Sequence, residues 1–130
     1  MRLQLEKLFF SATDLGNFIE CEHLTALDLR GLSDGEFRSA KVKPDESAEL
    51  IARKGNEHEH AYLERLRSEG KVVVDIAAAG GSLADKVART LAAMREGPDV
   101  IFQATLQSGS LFGHADFLMR VDGLGVPKFS

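Results

Sequence analysis

Val100-Ile101-Phe102-Gln103-Ala104-Thr105-Leu106-Gln107-Ser108-Gly109-Ser110-Leu111-Phe112-Gly113-His114-Ala115-Asp116-Phe117-Leu118-Met119-Arg120-Val121 decides the fold class. Val100, Phe102, Ala104 and Leu106 alternate with Ile101, Gln103, Thr105 and Gln107, which is the period of a strand. Ser108-Gly109-Ser110 then turns the chain, so a β-hairpin with a three-residue loop is expected. Asp122-Gly123-Leu124-Gly125 reads as a second turn, and Val126 to Ser130 as the start of a third strand. In the second strand, alternation puts Phe112, His114, Asp116, Leu118 and Arg120 on one side.

Upstream of the hairpin the period changes to that of helices. Ser82 is a cap for a helix in which Leu83, Val87, Leu91 and Met94 line one face, up to Gly97-Pro98. Before it, the β-branched run Lys71-Val72-Val73-Val74-Asp75-Ile76 predicts a short strand, with a turn at Gly80-Gly81. Asp45 and Glu46 open the longest expected helix, which carries Ala48, Ile51, Tyr62, Leu63 and Leu66 and runs to Gly70. Residues 31 to 44 read as a connection. Near the N-terminus, Ser11-Ala12-Thr13-Asp14 forms a capping-box pattern ahead of a helix from about Thr13 to Leu29, broken near Cys21 to His23 and ended by Gly31. Leu3 to Leu5 and Leu8 to Phe10 are a short strand or an extended lead-in.

The whole chain of 130 residues, 44% hydrophobic and 28% charged, suits a single domain with one modest core. Sixteen basic against 20 acidic residues give a formal charge of -4, so no overall positive field holds nucleic acid and any such contact has to be local. No apolar run approaches the ~20 residues of a membrane helix, and the N-terminus lacks a continuous signal-peptide core. A cytoplasmic protein without membrane contact is expected. The single cysteine, Cys21, excludes an internal disulfide and suits a reducing compartment.

Two places could carry chemistry. At about 100° per residue, Ile51, Gly55, His58 and Tyr62 share a narrow stripe, which places His58 on the buried face and His60 on the opposite side. His58 and His60 therefore do not form a metal pair, and His60-Ala61-Tyr62 does not complete the H-E-x-x-H of metallopeptidases. His58 reads either as a core histidine bonded to a backbone carbonyl, or as a group facing a polar pocket that Gly55 leaves open, with Glu59 beside it. Asp116 is a carboxylate among Phe112, Ala115, Phe117 and Leu118; such an acid costs desolvation energy unless something pairs with it. Its partner is either Arg120, a lysine or backbone amides, or a divalent metal. Alternation aims Gln103 toward the same place.

Ser11-Ala12-Thr13-Asp14-Leu15 with Phe18 and Cys21-x-His23-Leu24, Gly55-x-x-His58-Glu59 with Tyr62-Leu63, Val100-Ile101-Phe102-Gln103-Ala104 and Gly113-x-Ala115-Asp116-Phe117-Leu118 resemble, in order, the N-terminal part of RecB-like nucleases of the PD-(D/E)XK superfamily. The resemblance implies an α/β, restriction-endonuclease-like core fragment with helices packed on a small, mainly antiparallel sheet. It implies metal-dependent hydrolysis of DNA phosphodiester bonds, with RNA as the alternative substrate and a helicase module or a downstream part of the same nuclease as partner. Asp116 would bind Mg²⁺ or Mn²⁺, His58 would bind the metal or tune its water, and Glu59 would support them. The acid-x-Lys element that follows in that family is absent after Asp116: Asp122-Gly123-Leu124 lacks the lysine and Pro127-Lys128 lacks the acid. The 130 residues alone are therefore expected to have little or no nuclease activity, and self-association through an exposed sheet edge is expected. Some relatives hold an iron–sulfur cluster through one N-terminal and three C-terminal cysteines; Cys21 alone cannot build one. The competing reading is a noncatalytic nucleic-acid-processing scaffold or binding module in which His58 and Asp116 are structural.

Overall fold

The computed structural model describes residues 1–121. It is mixed α/β, with a helix-rich N-terminal half and the buried core in the C-terminal half. The expected second turn and third strand, 122 to 130, lie outside the described residues.

The chain opens with strands β1 (Arg2–Gln4) and β2 (Lys7–Phe9), antiparallel with Leu3 opposite Leu8. Leu5 and Glu6 make the two-residue loop at φ 47° and 61°; positive φ at both loop residues matches the strand twist but favours Asn and Gly. Ser11 and Asp14 form the capping box that starts α1 (Ala12–Glu20). The chain breaks at Cys21, as the sequence implies, and resumes as α2 (Glu22–Ser33). Gly31 does not end α2, and the expected connection contains a further short helix, α3 (Gly35–Ser39), capped by the Asp34 side chain on the Phe37 N–H. That cap looks the same as an ordinary turn aspartate in sequence.

The longest helix, α4 (Glu46–Ser68), starts where Asp45 accepts from the Ala48 N–H. Strand β3 (Val73–Asp75), helix α5 (Leu83–Glu96) and strand β4 (Val100–Ser108) follow. β3 and β4 are parallel, with Val74 opposite Ile101, so β3-α5-β4 is a crossover unit. Strand β5 (Leu111–Met119) completes a sheet of order β3-β4-β5. The sheet is thus mixed: the hairpin is antiparallel as expected, and the parallel pairing of β3 was not anticipated. The hairpin loop has two residues, Gly109 and Ser110, rather than three.

Two compact units divide the chain: Met1–His60 with Leu106–His114, and Ala61–Thr105 with the chain from Ala115 on. In the first, the backbone of Phe10 pairs with the start of β5, its N–H donating to Ser110 O and its C=O accepting from Phe112 N–H. In the second lie all the fully buried residues described, from Leu63 and Leu66 on α4 to Thr105 on β4. Ile76, Ala93, Ile101 and Ala104 form its centre, with Val74, Ala115 and Leu118 packed against them. Each large apolar side chain buried there contributes roughly 1.5–3 kcal/mol.

The apolar stripe of α5 differs from the expected one. Leu83, Thr90 and Ala93 are buried, whereas Leu91 and Met94 are about half exposed. Thr90 earns its place by polar satisfaction: its Oγ1 accepts from the buried Thr105 N–H at 2.9 Å and donates to Lys86 O. β4 is not half-polar either. Val100, Ile101 and Phe102 are all buried because both faces of this central strand are covered.

Candidate functional site

In the second unit, Phe117 of β5 packs edge-on against Tyr62 of α4, ring centroids 4.9 Å apart, and lies 5.2 Å from Phe102. Leu118, next along β5, packs instead against the Ile76, Ala93, Ile101 and Ala104 cluster. Strand alternation puts Asp116 on the Leu118 side of β5, although Ala115 also packs against that cluster. There the Asp116 Oδ1 accepts from Gln103 Nε2 at 3.3 Å. Arg120, two residues beyond Leu118, donates to Gly97 O at the end of α5.

Asp116 is exposed, which corrects the expectation of a desolvated acid. Its apolar sequence neighbours turn into the two packed faces and leave the carboxylate at the surface. Gln103 has φ 54°. A non-glycine residue in that conformation locally strained in mid-strand is worth notice, because such strain persists only where surrounding structure holds it. The distortion also shifts the side-chain phase of β4, so that Ala104, three residues on from Ile101, joins the same cluster.

The histidine expectation is corrected too. On α4 the buried or half-buried stripe is Glu59, Tyr62, Leu63 and Leu66; His58, Gly55 and Ile51 are exposed, Ile51 at 73%. Spacing fixed a stripe but not which end of a long helix is covered. His58 and Glu59 belong to the first unit and Asp116 to the second. The pairing that the structure does bring together is Asp116 with Gln103. Among the described residues, no three His, Cys, Asp or Glu side chains gather as a metal site. Cys21 is exposed between α1 and α2.

Hard-cation chemistry fits this place in part. An exposed carboxylate and a side-chain amide oxygen are the donor types Mg²⁺ and Mn²⁺ accept, and the open surface admits the waters such ions retain. No family model matches the chain, and neither the curated proteins nor the solved structures provide a match.

Proposed function

We propose that this chain carries part of a RecB-like, restriction-endonuclease-like nuclease core, with Asp116 as a ligand for Mg²⁺ or Mn²⁺ and Gln103 as the residue that orients it. The supporting observation is the exposed Asp116 carboxylate bonded to Gln103 across the β4–β5 hairpin. The ordered resemblance of the sequence supplies the class of reaction, phosphodiester hydrolysis in DNA. A metal ion bound there would polarise the phosphate and lower the pKa of a bound water. The protein's own part is to hold the carboxylate in one direction and, with the hairpin fixed by Phe102, Phe117 and Tyr62, to keep that direction rigid.

Mn²⁺ titration followed by paramagnetic broadening of amide signals tests this. Signals of Gln103 and of Ala115 to Phe117 are expected to broaden first, and Asp116→Asn to abolish that pattern with the fold intact. Broadening that survives Asp116→Asn unchanged would remove the metal reading. The second reading, a noncatalytic module, is favoured by the same Gln103 bond, since it gives Asp116 a structural partner. On that reading Asp116→Asn lowers stability and leaves Mn²⁺ broadening as it was.

A further inference from the structure

In the first unit, α1, α2 and α3 surround a cavity of about 630 Å³, within the roughly 300–1,000 Å³ common for small-molecule pockets. Leu24, Leu27, Leu32 and Phe37 give it an apolar wall. Phe37 is fixed by the Asp34 cap on its N–H and by the Arg30 guanidinium 4.3 Å from its ring centre.

Three observations point to a ligand there. Gly31 lines the cavity from inside α2, and a Cβ at that position would touch nothing within 4 Å. Glycine weakens a helix interior, and packing does not require it here, so a side chain at this position would have room on the cavity side of α2. The charges are unevenly satisfied as well. Lys41 is tied to Asp28 at 3.2 Å, and Asp14 to the Met1 amino group at 2.5 Å. Arg38 donates only to carbonyls, from Nε to Gly31 O at 2.7 Å and from Nη2 to Leu32 O at 3.1 Å; among the described residues no carboxylate pairs with it. Finally, the Asn17 side chain lines the cavity without a hydrogen-bond partner among those residues.

We propose that this cavity binds a small molecule with an apolar, ring-sized body and one anionic group. The body lies on Leu27 and Phe37, and the anion meets Nη1 of Arg38, with Asn17 as a polar contact. An anion is favoured over a cation because the cationic side chain without a carboxylate is at the wall, whereas both lining carboxylates are paired. The proposal is independent of the nuclease reading, which concerns the other unit.

The test uses two dyes of like shape on the whole chain: 8-anilinonaphthalene-1-sulfonate, which is anionic, and the uncharged N-phenyl-1-naphthylamine. One saturable site is expected for each. Gly31→Leu, whose Cβ meets nothing within 4 Å, adds bulk at the cavity wall and should weaken both dyes at least ten-fold; Gly31→Ala, smaller, should weaken them less while raising the thermal midpoint. Arg38→Gln should weaken only the anionic dye, again by about ten-fold. Dye binding that ignores Gly31→Leu in a folded variant would place the dye on the exposed apolar surface and overturn the site. Equal loss of both dyes in Arg38→Gln would overturn the anionic ligand class.

Discussion

Asp14 shows how much one side chain does at the start of α1. Its carboxylate accepts from the Ser11 N–H and Oγ at 2.7 Å each and from the Met1 amino group. Burial pushes its pKa up, but the hydrogen bonds from the amino group and from Ser11 more than offset this, so the pKa lies below 3.8. A carboxylate with a depressed folded pKa stabilises fully above its unfolded value and loses that contribution as pH falls through the folded one. Asp14→Ala should therefore cost about 0.5–2 kcal/mol near neutral pH, as loss of the N3 half of the capping box that Ser11 begins. The gap to the unaltered chain should begin to narrow as pH falls past the unfolded value of about 3.9 and keep narrowing until pH lies below the lowered folded pKa, where the acid is protonated in both states. Denaturant unfolding at a series of pH values checks this; a gap that stays constant down to pH 2.5 would show that ionisation of Asp14 contributes nothing. Ser11 and Asp14 were legible in the sequence because a capping box is a local pattern. Gln103 was legible only as a direction, since nothing in its residue type announces a positive φ.

At the scale of elements, the α5–β4 contact rests on a polar atom inside an apolar layer. β3 pairs with β4 only from Val100 to Phe102, so the Thr105 N–H lies beyond that ladder and finds Thr90 Oγ1. Thr90→Val keeps the shape and removes the acceptor, and should destabilise by about 1–3 kcal/mol because a buried donor is left unsatisfied. Thr90→Ser should recover most of this. Urea unfolding of the two variants separates hydrogen bonding from packing: a loss in Thr90→Ser with none in Thr90→Val would assign the effect to the methyl group. The hairpin also shows how a small element-level error hides a site. A two-residue loop sets Ser108 opposite Leu111, and counting back along both strands brings Gln103 opposite Asp116. A three-residue loop moves that register by one and puts Ala115 there instead. The Gln103–Asp116 pair thus depends on a loop length that Ser108-Gly109-Ser110 leaves open.

For the whole molecule, the uneven placement of the core predicts uneven stability. All fully buried residues described belong to the second unit, whereas the first exposes Leu3, Leu5, Phe18, Ile19 and Ile51 by about half or more. Opening free energies follow buried apolar contact, so amide hydrogen exchange should be slowest in β4, α5 and the C-terminal half of α4 and clearly faster in α1, α2 and α3. Equal protection in both units would contradict this. A ligand in the α1–α3 cavity should slow exchange selectively in those helices, since binding stabilises only the state that holds it. No described helix is long and apolar enough to cross a membrane.

Local chemistry in the sequence by itself determined the caps at Ser11 and Ser82, the break at Cys21, the five principal elements from α4 to β5, and the presence of one acid in the last strand. These depend on neighbours within a few residues, which the sequence displays directly. Only the tertiary structure decided that β3 runs parallel to β4, that Thr90 rather than Leu91 faces inward, and that His58 is exposed while Asp116 meets Gln103. Each of these turns on which surface another part of the chain covers, and the period of a helix or strand repeats without recording where that cover lies.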